Sequence, residues 1–300
     1  MPITRRIYVS LPADPWLPDH LNRLKWAVVE EIEKRGYTPE IFTDPRGGPG
    51  LAAGRAWTPG DADDIARRCV GAAIIGMPRW TFSGPKGQPV LLATEFNYYE
   101  GALVRTLGLP TLVLVHREVL RRVVFDMGFG GYVGVFPAEA DVSWLDTDDF
   151  RVPFGYWTRQ LKDRRDIFLG YCSTSAQPAK RIKRYLGSLG VRVLDWQTDL
   201  IPGRTIIDQV QQAAARCTGG IFLFTKDDDL ADGERSVPRD NVVFEAGFFS
   251  GLKGKRAVLI IRETGSKMPA DLGGDIYASL PDRSDTSTIK RTLKAFLAAL

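Results

Sequence analysis

Two series of short, continuously apolar runs, each separated from the next by a helical segment, constrain this 300-residue chain more than any other feature. In the first half the runs are RRIYVSL, YTPEIF, GAAIIGM and LPTLVLV; in the second they are DIFLGYC, VRVLDW, GGIFLFT and RAVLII. The segments between them have apolar residues at helical spacing, as in HLNRLKWAVVEEIEKRG, where Leu21, Leu24, Ala27, Val28 and Ile32 share a face. Strands apolar at every position need cover on both faces, and helices between them supply it. The expected fold class is therefore α/β, with two doubly wound, mainly parallel-sheet domains of flavodoxin-like type.

The halves also match in detail. ARRCVGAAIIG aligns with AARCTGGIFLF, and YYEGALVRTLGLPTLVLV aligns without gaps with VFEAGFFSGLKGKRAVLI, which sets Glu100 opposite Glu245. Duplication is the economical reading, although two unrelated doubly wound domains share part of this pattern by convergence. The stretch PAEADVSWLDTDDFRVPFGYWTRQLKDRRD has room for a short helix but no clear period. The expected boundaries are 1–150 for an N-terminal α/β domain, 151–164 for a linker and 165–300 for a second domain.

Composition excludes several classes. With 44% hydrophobic and 25% charged residues the chain is ordinary for a globular protein of two domains. Its apolar runs fall short of the roughly 20 residues of a membrane-spanning helix, and MPITRRIYVS lacks the apolar segment of a signal peptide, so the cytoplasm is expected and no membrane partner. Cys69, Cys172 and Cys217 are odd in number and share no metal-ligand spacing, which argues against a disulfide framework and a metal site. His20 and His116 are isolated and expected at a surface or edge. A net charge of +4 is too mild for duplex nucleic acid, though dispersed arginines suit a phosphate. Neither GxxxxGK[ST] nor GxGxxG occurs, and GGPGLAAGRAW is out of register for both, which removes the usual routes to ATP hydrolysis and hydride transfer.

One carboxylate stands out. In SVPRDNVVFEAGFFSGLKGKRAVLII, Glu245 sits among Val242, Val243, Phe244 and Phe248. With Asp240 or Asn241 capping the helix, Glu245 falls in its early turns, with Phe249 and Leu252 on its own side. The macrodipole there favours the ionised form and desolvation the neutral one, so holding charge requires a positive partner. That partner is either a cation formed in a reaction or, in a structural role, Arg239 or backbone N–H groups. Gly247 and Gly251, one turn apart, are expected to let the helix lie close on its sheet.

Over about residues 165–280, DIFLGYCST, GRTIIDQVQQAAARCTGGIFLFTKDDD, PRDNVVFEAGFFSGL and MPADLGG carry a family likeness. This half resembles the bacterial TIR-like domain of effectors in cyclic-nucleotide-triggered anti-phage systems (CBASS and Pycsar). The resemblance implies an NAD+ nucleosidase: hydrolysis of NAD at the nicotinamide glycosidic bond, with Glu245 the essential residue and NAD a substrate, no cofactor being needed. It further implies activation by a cyclic nucleotide and homo-oligomerisation on activation. The chemistry agrees, because loss of neutral nicotinamide leaves a cationic ribose that one ionised carboxylate can stabilise, and the leaving group needs no acid.

Candidate substrate contacts follow at the C-terminal ends of the strands, where open α/β sheets bind ligands. They are Cys172 and Ser173 after the first strand, Trp196 after the second, Arg204 and Thr205 opening the next helix, Asp228 in TKDDD, and Asn241. Trp196 is equally readable as a core residue and TKDDD as a solvated loop. The first half broadly resembles a second TIR-like domain or a nucleoside deoxyribosyltransferase, but RDN has no counterpart before Glu100. Its expected role is therefore to bind a nucleotide-derived signal, with Arg79, Trp80, Tyr98 and Glu100 as candidate contacts and packing as the alternative for each. Two other outcomes stay open for the second half: a signalling scaffold without turnover, and an enzyme that closes the ADP-ribosyl cation into a cyclic product.

Overall fold

The computed structural model describes residues 3–13, 15, 17–42, 57–129, 132–199, 206–229, 236–269 and 277–300. They form two compact units, one of Arg5–Asp163 and one of Arg164–Leu300 together with the first four residues.

The N-terminal unit runs β1 (Arg6–Ser10), α1 (Asp19–Lys34), β2 (Thr38–Ile41), α2 (Pro59–Arg67) and β3 (Cys69–Gly76). An antiparallel hairpin of β4 (Trp80–Ser83) and β5 (Pro89–Leu92) follows, then α3 (Glu95–Thr106), β6 (Thr111–His116), β7 (Val133–Phe136) and α4 (Asp148–Asp163). The sheet is parallel throughout, in the order β2-β1-β3-β6-β7. All eight residues of β3 are buried, as a strand covered on both faces requires. Successive β1 side chains serve opposite faces: Ile7 and Val9 join Leu24, Val28, Phe154 and Trp157 in one core, and Tyr8 joins Ile65, Ala72, Val104 and Val113 in the other. Thr94 caps α3 by accepting the Asn97 N–H, which fixes the start of the helix that carries Glu100.

The C-terminal unit runs β8 (Arg165–Gly170), α5 (Ala176–Ser188), β9 (Val193–Asp195), α6 (Trp196–Asp199), α7 (Ile206–Arg216) and β10 (Cys217–Phe224). The two-residue strands β11 (Asp228–Asp229) and β12 (Ser236–Val237) pair with each other, and α8 (Asp240–Lys253), β13 (Val258–Glu263), β14 (Tyr277–Leu280) and α9 (Lys290–Ala299) complete it. Its sheet is again parallel, in the order β9-β8-β10-β13-β14. Ile3, ahead of β1 in the chain, is buried in this second core.

Both sheets thus place the first strand second and the second strand at the edge. The register matches too from the glycine pairs onward: Gly71 faces Ile7 as Gly219 faces Ile167, whereas before them the first unit has a register shift between Arg6 and Ile7 that β8 and β10 lack. Further along, Ser10 pairs with Ile74 and Gly170 with Phe222, so Ser10 and Gly170 occupy equivalent places. Gly71 and Gly219 are small for the same reason: a Cβ at the first would stand 2.4 Å from Leu161 Cδ2, and at the second 2.9 Å from Leu300 Cδ1.

Those two leucines correct the expected boundary. Residues 151–164 are not a linker; nearly all of them belong to α4, and the units meet in sequence at Asp163 and Arg164. Phe150, Phe154, Trp157 and Leu161 form a buried helical stripe, interrupted in sequence by Pro153, which reads as a breaker. Helix α4 covers the first sheet as the C-terminal segment ending in Leu300 covers the second. The glycine expectation for α8 is overturned as well: Gly247 and Gly251 face outward, and a Cβ at either would meet nothing within 4 Å.

Trp157 is almost wholly buried and donates its indole N–H to the Pro110 carbonyl at 3.0 Å. Trp157→Ala is expected to cost about 3–5 kcal/mol, read from denaturant unfolding of the N-terminal unit. A fragment ending at 150 should lack a cooperative transition that a fragment ending at 163 retains.

Candidate active site

Strand β8 has the second strand of its unit on one side and the third on the other, and the crevice above such a point is where doubly wound sheets take ligands. Gly170 ends β8 there. Helix α8 approaches from the β10 side, burying Val242, Ala246 and Phe249; the Phe249 ring stacks on Phe168 at 5.8 Å and meets Phe222 edge-on at 5.7 Å. The helix is not capped by Asp240 or Asn241. Arg239 holds the capping position without a side-chain cap, and Asp240, the first helical residue, accepts the Asn241 N–H at 2.8 Å.

This packing brings Glu245 over the end of β8. A Cβ on Gly170 would lie 3.1 Å from Glu245 Oε2 and 2.6 Å from Phe222 Cδ1, so the carboxylate and the phenyl ring occupy room that only glycine leaves. Burial alone pushes the Glu245 pKa up to about 7. Among the described residues no hydrogen-bond donor or cation pairs with it. Arg239, the partner a structural glutamate would use, is engaged elsewhere: its guanidinium pairs with Asp228 at 3.1 Å and hydrogen-bonds the Cys172 thiol.

Beside this carboxylate-bearing helix, Asp227 gathers the strand ends. It accepts from the Thr174 hydroxyl at 2.7 Å, the Thr225 hydroxyl at 2.8 Å and the Arg239 backbone N–H at 3.2 Å, tying the loop after β8, the end of β10 and the start of α8. Ser175 and Thr225 share a further hydrogen bond of 2.7 Å. Burial raises the Cys172 pKa, but hydrogen bonds with Thr174 and Arg239 outweigh it and hold the thiol below its ordinary value. At the end of β13, buried Glu263 accepts from Arg283 Nη2 at 2.7 Å and from the Lys226 N–H at 2.9 Å.

Of the expected contacts, Cys172 is buried in this group and Ser173 is exposed on the following turn. Asp228 is half-buried in its ion pair, and Asn241 is exposed on the first turn of α8. Trp196 is partly buried, tilted on Tyr171 at 5.7 Å and packed against both cores of the unit. Arg204 and Thr205 lie outside the described residues. Sequence reading missed Gly170, Asp227, Thr174 and Thr225. Only Asp227 left a signal, as the first acid of TKDDD.

The N-terminal unit repeats the arrangement with a hydrogen-bonded carboxylate in place of the bare one. Glu100 is the sixth residue of α3 as Glu245 is of α8, but it receives the Trp57 indole N–H at 3.0 Å and a hydrogen bond from Ser10. Ser10 in turn accepts from Asn97 Nδ2 at 2.7 Å. Burial raises the Glu100 pKa, and these bonds pull against it. Arg79 lies 4.6 Å over the Trp80 ring, whose N–H reaches Glu95 at 3.1 Å, while Tyr98 packs on Phe125 and Arg122. His116 is not at the surface: it is buried, its ring edge-on to Phe136, and burial lowers its pKa.

A raised carboxyl pKa sets a stability window. Between pH 4.5 and about 7 the folded chain binds more protons at Glu245 than the unfolded chain, so its stability falls as pH rises through that range and the cost is complete above it. Glu245→Gln is expected to stabilise the C-terminal unit by up to about 3 kcal/mol at pH 8, less whatever solvent recovers for a half-buried group, with no gain below pH 4.5. Thermal unfolding across this pH range checks it.

Residues 166–282 match the family model described as CAP12/Pycsar effector protein, TIR domain. CD-NTase-associated protein 12 of Flavobacterium daejeonense is 34% identical over 111 residues, covering 36% of this chain and 35% of that protein. The protein of the same name from Lachnospiraceae bacterium (strain RUG226) is 32% identical over 111 residues, with the same coverage. Uncharacterized protein YuaY of Escherichia coli (strain K12) is 28% identical over 105 residues, covering 34% of this chain and 35% of its own. The chain therefore spans about a third of the length of these relatives. The TIR domain of the Toll-related receptor TRR-2 from Hydra magnipapillata aligns with 44% of this chain and 98% of its own length, at 13% identity and a TM-score of 0.35. Among the described residues no helix is long and apolar enough to cross a membrane. The second unit of this chain is a TIR domain of the CAP12/Pycsar effector family.

Proposed function

We propose that this TIR domain is an NAD glycohydrolase that serves anti-phage defence in the cytoplasm, switched on by a cyclic nucleotide signal and assembled into an oligomer when active. The observation that carries the reading is the Glu245 carboxylate set over the bare backbone of Gly170, with no partner among the described residues and burial opposing its charge. A group so placed is costly at rest and is relieved when a cation enters. NAD presents one, since its nicotinamide carries a positive charge that passes to the ribose as the bond breaks.

In the reaction the C1′–N bond cleaves with both electrons going to the nicotinamide nitrogen, which leaves neutral. Glu245 faces the ribosyl cation, an interaction strongest in the transition state and strengthened by the apolar surround of Phe168, Phe222 and Phe249. Water adds at C1′ and releases a proton, giving ADP-ribose. Asp227 holds the strand ends and the start of α8 in place around the site. The names of the relatives, associated with nucleotidyltransferases, support a nucleotide activator, and the N-terminal unit is where this reading puts its binding.

Purified chain incubated with NAD and a panel of cyclic di- and trinucleotides is expected to release nicotinamide and ADP-ribose with at least one of them. Glu245→Gln should lower the rate by at least about 100-fold. Because the ionised form acts, kcat/KM should rise with pH through about 7, and kcat should rise at lower pH, since bound substrate favours the carboxylate. Nicotinamide release that survives Glu245→Gln, or a flat profile from acid to alkaline pH, defeats the assignment. Chromatography of the products separates hydrolysis from cyclisation.

A further inference from the structure

Helix α8 has a second face that neither its own sheet nor the catalytic reading uses. Opposite buried Val242, Ala246 and Phe249, the residues Asp240, Phe244, Gly247, Phe248 and Gly251 fall within about 100° of one another around the helix. Phe244 is 46% exposed and its ring stacks with that of Phe248 at 5.8 Å. Gly247 and Gly251 are exposed with open space where a side chain would be. A glycine on an exposed helix face destabilises the helix relative to alanine, and the exposed Phe244 ring beside it gains nothing from water, while Phe248 is half-buried with one side against the core. Two glycines one turn apart, flanked by aromatic rings, form the surface onto which another helix fits closely.

We infer that the occupant is α8 of a second copy of this chain, packed antiparallel about a two-fold axis passing between positions 247 and 248. In that arrangement Phe244 of each copy lies over Gly251 of the other, and Phe248 over Gly247, so every large ring meets a position without a side chain. The ends match by charge. Exposed Asp240 at the start of one helix faces exposed Lys255, with Arg256 beside it, just past the end of the other, and the helix macrodipoles oppose. A self-complementary face, acidic at one end and basic at the other, selects its own copy over an unrelated partner.

The contact is small. A 14-residue helix spans about 21 Å, and one helix pair buries well under the roughly 800 Å² per partner of stable complexes. Association through α8 is therefore weak and concentration-dependent, and it strengthens when another part of the molecule brings copies together. Its consequence for the site is direct, because Glu245 follows Phe244 on the same helix and pairing braces that helix from outside. The association is a property of the surface and holds whether or not the domain cleaves NAD.

Sedimentation velocity of the full chain from micromolar to millimolar concentration tests it. The wild type is expected to shift from monomer toward dimer, and Gly247→Leu and Gly251→Leu to stay monomeric with an unfolding temperature no lower than the wild type. Asp240→Lys should weaken association, and adding Lys255→Glu to it should restore it, as only the antiparallel register requires. Gly247→Cys should give an oxidised dimer that the exposed control Lys180→Cys on α5 does not, against a low background because Cys69, Cys172 and Cys217 are buried. A wild type that remains monomeric throughout, or association untouched by the leucine variants, overturns the proposal. Failure of the charge swap to restore association overturns the antiparallel arrangement.

Discussion

The close approach of the Glu245 carboxylate to Gly170 is the contact on which the rest of the C-terminal unit depends. It requires a glycine at the last position of β8, a helix that descends onto the Phe168, Phe222 and Phe249 cluster, and strand ends tied well enough to hold both in place. None of these stabilises the carboxylate. They place it where water is scarce and leave its charge without a described partner, which is an unfavourable arrangement for folding and a useful one for meeting a transient cation.

The N-terminal unit is the internal control for that interpretation. Its strand order matches, as does its pairing register from Ile7 to Ser10, and it carries a glutamate at the same turn of the corresponding helix. There the residue equivalent to Gly170 is Ser10, whose hydroxyl fills the gap and bonds Glu100, and Trp57 supplies a second donor. The difference between a satisfied carboxylate and an unsatisfied one thus comes down to a few neighbours on an otherwise shared scaffold. Burial opposes ionisation in both; among the described residues only Glu100 has internal hydrogen bonds that pull the other way.

The alternation of apolar runs and helical segments made the class of fold readable, since a strand such as CVGAAIIG has no polar face to turn toward water. Helix α4 was not readable because Pro153 interrupts its stripe, and only the fold shows Phe150, Phe154, Trp157 and Leu161 on one side. The hairpin of β4 and β5 was missed because its residues are exposed or half-exposed and carry no buried period. Glu245 was legible as an acid among apolar neighbours. Gly170 was not, because what it permits is set by Phe222 and Glu245, both more than fifty positions away in sequence. A run of like residues such as TKDDD does not say which acid ties the strand ends; in the fold it is Asp227, through Thr174, Thr225 and the Arg239 backbone, while Asp228 pairs with the Arg239 guanidinium.

Helix α8 shows why the glycines deceived. From spacing alone, small residues one turn apart mean close packing, and spacing does not say against what. The sheet side of the helix is filled by Val242, Ala246 and Phe249, all larger than glycine, so the close approach belongs to the other side. A helix apolar on nearly every face is ordinarily enclosed by protein on every face. Here the sheet encloses one side, α7 packs alongside and Glu245 sits at the margin, so what stays uncovered among the described residues is the face of Phe244, Gly247 and Gly251. If a second helix completes it, the Glu245 carboxylate and the association surface lie about a quarter-turn apart on one rigid element. Any force that draws copies together then acts on the position of Glu245 through the backbone of α8 itself, with no longer path between signal and site.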